Sequence, residues 1–184
     1  MRNNYLTILL FLLLTVPSFS QVQNKFFGAT LGISDVNATY SSMYNYFGEK
    51  PAIPLGLEFG MIVDNKNYAG YRWDGIIAYF HNEKFSVILL RYFNDWKASS
   101  QTIQNVYENL KRELKVKYGG NTAILYKSIL QDDEEGFLYF DGRYGVKLKM
   151  KGDIKKKKYT EVDLEYWDNK LIQEPKRPTI NDDL

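Results

Sequence analysis

The chain has 184 residues, 24 Lys and Arg against 22 Asp and Glu, a single histidine and no cysteine. So balanced a charge gives no strong field for nucleic acid or an anionic membrane, and neither is expected as a partner. Without cysteine the chain forms no disulfide and lacks the usual zinc ligands, so we expect packing alone to stabilise one domain of ordinary size.

The first twenty residues have the layout of a secretory signal peptide. Arg2 is the only charge before an apolar run from Leu6 to Val16, and small residues lie just ahead of Gln21. The run is shorter than the roughly 20 apolar residues that a membrane-spanning helix needs. We therefore expect export to the periplasm or the medium, cleavage near Ser20-Gln21, and no membrane span in the mature chain.

Two later segments have the periodicity of amphipathic helices. The first has Ser34 as its predicted N-cap and Gly48 just after its end. Its predicted buried positions are Val36, Tyr40, Met43, Tyr44 and Phe47. The second begins at Ser99 or Ser100 and stops at Gly119-Gly120. Its predicted buried stripe is Ile103, Val106, Tyr107, Leu110, Leu114 and Tyr118.

Alternating, β-rich segments follow each helix. We predict a short strand at 26–31, then strands at 55–63, 70–80 and 85–93, and after the second helix strands at 123–130, 136–150 and 159–167. Asp74-Gly75 and Asp141-Gly142 are interpreted as bulges or bends within long strands, with hairpin turns as the alternative.

Three short sequences recur in order at offsets of roughly 70 residues, which indicates a duplication. They are Tyr46-Phe47-Gly48 with Lys117-Tyr118-Gly119, Trp73-Asp74-Gly75 with Phe140-Asp141-Gly142, and the segment from Leu90 with the segment from Leu164. The sequence thus predicts an α+β fold of two tandem α-β-β-β repeats, at about 30–95 and 98–169, with both helices on one face of an antiparallel sheet. A single domain would span 21–169, and residues 170–184 have the composition of a disordered tail.

Charged residues alternate along the last two predicted strands. Lys147, Lys149 and Lys151 share one side of the first strand, and Glu161, Asp163 and Glu165 share one side of the next. We interpret these residues as a self-neutralising ladder on an exposed face. The alternative is a basic patch for anions, to which only the turn lysines at 155–158 would then contribute.

No catalytic motif is present in the sequence. His81 falls in a predicted turn, without the G-x-S-x-G elbow that would supply a nucleophile. The run Asp132-Asp133-Glu134-Glu135 lacks the spacing of a calcium loop and is interpreted as an acidic turn. Phosphate-loop and dinucleotide fingerprints are absent as well. We assign no catalytic, metal or cofactor-binding residue, although two of the many carboxylates could still form a hydrolytic pair.

The final strands of the two predicted repeats differ in character. Where the second has Glu161, Asp163, Glu165 and Trp167, the first has Val87, Leu89, Arg91 and Phe93. The mostly apolar face predicts a partner or self-association surface that consists of Val87, Leu89, Arg91, Phe93 and Trp167. The alternative is that the C-terminal tail or the strand at Phe26 covers this face.

The element order over residues 30–169, opened by Phe27-Gly28-x-x-Leu31-Gly32-x-Ser34, resembles the β-lactamase-inhibitor-protein-like architecture of small exported bacterial proteins. The resemblance implies a non-catalytic module that binds a protein through its sheet face. Inhibitors of that type carry disulfides, so inhibition is not carried over to this chain. Two alternatives are a hydrolase of the envelope acting on glycans and a protein that binds a small apolar ligand between helices and sheet.

Overall fold

The computed structural model describes residues 21–53, 60–93, 100–118, 134–153 and 156–173. Its helices are α1 (Val36–Phe47), α2 (Ser100–Tyr118) and the short α3 (Asn169–Ile172). Its strands are β1 (Lys25–Phe26), β2 (Ala29–Thr30), β3 (Gly60–Tyr68), β4 (Tyr71–His81), β5 (Lys84–Phe93), β6 (Glu134–Phe140), β7 (Tyr144–Asp153) and β8 (Lys158–Asp168).

Six strands form one sheet in the order β3-β4-β5-β8-β7-β6, with every neighbouring pair antiparallel. α1 and α2 pack on the same side of this sheet. Met43 of α1 and Tyr107 of α2 join one apolar core with Ile88, Leu90 and Val162 of the central strands. The chain therefore has the predicted α+β fold, and we call its helix-covered side the inner face and the opposite side the outer face.

The centre of the sheet is the pairing of β5 with β8, which are the last strands of the two predicted repeats. Leu90 and Leu164, set equivalent by the recurring sequences, are direct partners there. The strand order is the one that a two-fold relation between the halves would give. The duplication stays a prediction, because the two Asp-Gly sequences fall at different places in the two halves.

Asp74-Gly75 lies within β4, as predicted for a bend in a long strand. Asn65 and Asp74 have no partner in the β3–β4 register. On β4 the core residues are Trp73 before this point and Ile76 after it, so the spacing between inward side chains is three residues and not two. Asn65 takes a φ of +54°. One extra residue on each strand therefore reverses the alternation locally.

Asp141-Gly142 instead forms the turn between β6 and β7, so the prediction of one strand over 136–150 is wrong. Asp141 Oδ1 accepts hydrogen bonds from the backbone N–H groups of Arg143 (3.0 Å) and Tyr144 (2.7 Å). Gly142 adopts φ +102°, a value that favours glycine. The predicted strand at 123–130 and most of the predicted strand at 55–63 lie outside the described residues.

Both helices largely follow their predicted patterns. Asp35 rather than Ser34 caps α1, because its Oδ1 accepts the Ala38 N–H at 2.8 Å. Gly48 ends the helix in the left-handed conformation, as predicted. Tyr44 does not join the buried face of α1, since it is 45% exposed. On α2 the predicted stripe is buried except for Val106, which is half-buried.

The segment predicted as one strand at 26–31 is a two-stranded hairpin, β1 with β2, turning at Phe27 and Gly28. Phe26 packs on the inner face, with its ring centroid 5.0 Å from that of Tyr166. It therefore does not cover the outer face, which was one of the alternatives raised by the sequence.

The C-terminal end of the described chain is ordered beyond the predicted boundary. Residues 170–173 were predicted to start a disordered tail, but Asn169–Ile172 form α3 and Leu171 is buried. Asp168 caps α3 through the Leu171 N–H. The other carboxylate oxygen of Asp168 accepts hydrogen bonds from Arg143 Nε at 3.1 Å and Nη2 at 2.8 Å. Residues 174–184 lie outside the described part.

Gly32, which lies against Asp168, and Gly48, which lies in open space, give a matched test of how tightly the residues around Asp168 are packed. Both are left-handed, with φ +76° and +74°, but a Cβ at Gly32 would overlap the Asp168 carboxylate, while a Cβ at Gly48 meets nothing. We expect Gly48→Ala to cost about 1 kcal/mol of unfolding free energy from backbone strain. Gly32→Ala should cost about 3 kcal/mol, because the added methyl also displaces the buried Asp168 carboxylate from its hydrogen bonds to the half-exposed Arg143 and to the Leu171 N–H. Equal losses in urea unfolding would contradict this packing.

Candidate functional site: the outer face of the sheet

The sheet register brings all five residues of the predicted partner surface onto the outer face. Val87 is paired with Trp167, and Leu89, Arg91 and Phe93 follow on the same side of β5. Directly paired residues of antiparallel strands point to the same side of a sheet. The alternate residues of β5, Ile88 and Leu90, are in the core on the inner face.

A continuous row of large side chains crosses the outer face. Pairing places Tyr79 beside Val87, Val87 beside Trp167, Trp167 beside Gly145, and Gly145 beside Phe140. The Trp167 ring lies over Gly145, where a Cβ would overlap the indole. The absence of a side chain at Gly145 therefore leaves room for the indole to approach the backbone of β7. We call Tyr79, Val87, Trp167 and Phe140 the apolar row.

Tyr79, Gly145 and Phe140 were not among the residues predicted from the sequence to form this surface. The signal for the last two was the Asp141-Gly142 pair, because a turn there puts Phe140 and Gly145 opposite each other on adjacent strands. The bend interpretation instead placed both residues in one strand and concealed their pairing.

The predicted residues differ in how far solvent reaches them. Phe93 is 42% exposed, like Phe140 at 45%, so both present ring surface to solvent. Leu89 is only 7% exposed, and its paired neighbour Ile77 on β4 is 6% exposed. The expectation of an exposed apolar face is therefore met at Phe93, whereas Leu89 is buried.

A cluster of four charged residues lies beside the apolar row, and Arg91 belongs to it. Arg91 donates to Asp163 through Nε at 2.9 Å and Nη2 at 3.2 Å. Lys151 donates to Glu161 at 2.6 Å and to Asp163 at 2.9 Å. Two cations and two carboxylates thus neutralise each other. We call these four residues the charged cluster.

The predicted charge ladder forms, because β7 and β8 pair with their lysines and carboxylates on one face, although Asp163 is buried at 5% exposure and not exposed as expected. Lys147 is paired with Glu165, Lys149 with Asp163, and Lys151 with Glu161. Alternation within each strand places these side chains on one side of the sheet. The hydrogen bonds add Arg91 from the first half of the chain, so the ladder also holds the two halves together.

Two carboxylates on the same strand and face have pKa values shifted in opposite directions. Burial alone would raise the pKa of Asp163, but hydrogen bonds from Arg91 and Lys151 outweigh it and hold that pKa below its usual range. Burial raises the pKa of Glu165, and the nearby Lys147 and Lys149 only partly oppose this shift. Asp163 is thus a structural anion, while the ionised form of Glu165 is disfavoured.

The other candidate residues singled out in the sequence are His81 and the acidic run at 132–135. His81 ends β4 at a tight turn in which Asn82 and Glu83 have φ of +50° and +64°, as in a type I′ hairpin. Asp132 and Asp133 lie outside the described residues, and Glu134 begins β6. Within the described ranges, no group of three or more His, Asp or Glu side chains is arranged to hold a metal ion.

Comparisons with protein-family models, curated proteins and solved structures gave no match to this chain. The resemblance to the β-lactamase-inhibitor-protein-like architecture therefore stays a prediction. Among the helices described, none combines the length and apolar character needed to cross a membrane.

Asp163→Asn and Glu165→Gln separate the two kinds of carboxylate. At pH 7 we expect Asp163→Asn to lower the free energy of unfolding by roughly 3 kcal/mol, because Arg91 and Lys151 lose their shared anion. Glu165→Gln should leave stability unchanged or raise it, since the fold disfavours the ionised glutamate.

The pH dependence follows from the directions of the shifts. A lowered pKa in the folded state stabilises above the unfolded value of about 3.9, and this stabilisation is lost as the pH falls through the folded value. The deficit of Asp163→Asn should therefore shrink below about pH 4 in urea unfolding series. A Glu165→Gln variant as unstable at pH 7 as Asp163→Asn would contradict the assignment.

Proposed function

We propose that this chain is an exported, non-catalytic binding module that holds another protein against the apolar row of its outer face. The observation that carries the proposal is a row of large side chains on the side of the sheet away from α1 and α2. The row ends at Phe140, which is 45% exposed. Solvent-facing aromatic side chains aligned on one sheet face are typical of contact surfaces.

The chemistry of the row suits a protein partner. Tryptophan and tyrosine contribute large contact areas and supply many of the residues that dominate binding energy at interfaces. The charged cluster is already neutralised within the chain, so it offers a polar border to the row and little net attraction of its own. Binding would therefore depend on Trp167, Phe140 and Tyr79 more than on Arg91.

Export is proposed from the sequence of residues 1–20, which lie outside the described part. A positive start, an apolar run and small residues before Gln21 are together typical of a cleaved secretory signal. Periplasmic or secreted location follows from this pattern alone.

The charged cluster gives no support to the alternative of a glycan hydrolase. Such an enzyme needs two accessible carboxylates, one of which is ionised and free to act. Asp163 is 5% exposed, and both of its oxygens accept hydrogen bonds from Arg91 and Lys151. These contacts leave Asp163 poorly placed to reach a water molecule or a sugar.

Cleavage of the predicted signal peptide gives the test of export. We expect the full chain produced in a bacterium to be recovered outside the cytoplasm, with an intact mass that begins at Gln21. Leu10→Arg interrupts the apolar run and should leave an uncleaved chain in the cells. An uncleaved wild-type chain that stays in the cytoplasm would contradict export.

Phe140→Asp and Tyr44→Asp provide matched variants for the binding surface. The two side chains are equally exposed at 45%, but Phe140 lies on the outer face and Tyr44 on the outside of α1. If a second copy is the partner, light scattering should show a dimer that Phe140→Asp converts to a folded monomer and Tyr44→Asp leaves intact.

If the wild-type chain is monomeric, a photo-crosslinking residue at position 140 should give a discrete adduct in producing cells, and one at position 44 should not. Excess wild-type protein should compete for the adduct, and Trp167→Ala protein should compete less well. A monomer without any adduct at position 140, or with equal adducts at both positions, would refute the surface.

A further inference from the structure

A second candidate site lies on the inner face, at the centre of the sheet. A cavity of about 130 Å³ opens between the N-terminal segment, the β3–β4 turn and α2. Leu90 and Leu164, the directly paired residues of β5 and β8, line its floor. The cavity is separated from the outer face by the sheet, so it is independent of the proposed protein surface.

The lining divides into a buried apolar interior and a polar mouth. Phe26 and Trp73 are each 1% exposed, and the leucines of the floor and of α2 are similarly buried. The residues that line the cavity and reach solvent are Gln23, Tyr68, Ala69, Tyr71, Glu113 and Lys117. A ligand would therefore have its apolar part among rings and leucines and its polar part at the mouth.

Hydrogen bonds hold the mouth in place. The Tyr71 hydroxyl donates to Glu113 Oε1 at 2.8 Å, and Lys117 Nζ donates to Gln23 Oε1 at 3.1 Å. The Gln23 amide also donates to the Tyr68 hydroxyl at 3.4 Å. Burial, and then the Glu113 carboxylate, raises the pKa of Tyr71 to about 12, which keeps its hydroxyl protonated. The polar groups are thus preorganised before any ligand enters.

The size and the lining together indicate the ligand class. The cavity, at about 130 Å³, approaches the roughly 150 Å³ that is enough to hold benzene, and its open mouth lets a hydroxyl group lie outside the apolar interior. Aromatic walls favour an aromatic ring through edge-to-face or offset contacts. An ion would have to leave water for a site walled by leucines, at a cost of several kcal/mol. We propose that this cavity binds a small neutral single-ring aromatic molecule that carries a hydroxyl group, of the phenol class.

Phenol itself is the probe for this site, with cyclohexanol as the aliphatic control. In NMR titrations of the full chain we expect saturable shifts with phenol and intermolecular NOEs from its ring protons to the methyl groups of Leu114 and Leu164. Phenol should also raise the melting temperature, as any ligand selective for the folded state does. Cyclohexanol should bind more weakly by about tenfold.

Two α2 variants add the same ring inside or outside the cavity. Leu114→Phe fills the lining of the site, whereas Val116→Phe adds its ring at a position that is 83% exposed. We expect Leu114→Phe to weaken phenol binding at least about tenfold and Val116→Phe to leave it unchanged, with both folds checked by circular dichroism.

Several results would overturn the proposal. These are the absence of saturable phenol binding, NOEs that place phenol elsewhere, and cyclohexanol bound as tightly as phenol. Unchanged binding by folded Leu114→Phe would overturn it as well. If Leu114→Phe does not fold, the NOEs of the wild-type chain decide alone. Phenol bound while position 140 gives neither dimer nor adduct would leave this site standing and refute the protein surface.

Discussion

The pairing of β5 with β8 is the constraint on which the rest of the structure depends. It joins two halves of the chain whose central partners, Leu90 and Leu164, are far apart in sequence. Closing so long a loop costs conformational entropy before any contact repays it. The stabilising contacts form on both sides of the sheet at once, because Leu90 and Leu164 enter the core while Arg91 and Asp163 pair on the outer face.

The charged pair makes this register specific. Side chains alternate along a strand, so a slip of β5 by one residue against β8 would turn Arg91 toward the core and Leu90 toward the outer face, away from their partners Asp163 and Leu164. Apolar burial alone tolerates several alignments of similar strands, whereas a two-pronged Arg–carboxylate contact accepts few. We interpret the charged cluster as a device that selects the register, and the apolar row owes its alignment across the sheet to that selection.

The sequence was most informative where a pattern determines a local geometry. Alternating lysines and carboxylates on either side of a turn indicated that these residues of β7 and β8 share one face, and the spacing of Ile103, Tyr107 and Leu110 specified the buried side of α2. The pairing of β5 with β8 could not be derived in this way, because alternation identifies the side of a strand and not its neighbour.

The predictions that were wrong also have a physical cause, because they depended on tertiary contacts that a local pattern does not specify. Asp-Gly has the same local preferences in a bend and in a hairpin turn, and only tertiary contacts distinguished Asp74-Gly75 within β4 from Asp141-Gly142 between two strands. Tyr44 shows the limit of periodicity on α1, since the residue has helical spacing but is 45% exposed.

The inner and outer faces of the sheet differ because the two longer helices are only wide enough to cover one face. Five spacings of about 4.8 Å make a six-stranded sheet about 24 Å wide, whereas two helices of about 10 Å each span about 20 Å. The N-terminal segment helps to close this gap, because the Val22 N–H donates to Asp141 at 2.9 Å and Phe26 packs on Tyr166. The cavity lies where this segment meets α2, at a place where side chains of the inner face do not fill the space between them. Among the described elements, both longer helices and this segment are used on the inner face. On the outer face the rings of Phe93 and Phe140 are 42% and 45% exposed, and this is the face that we propose for a partner.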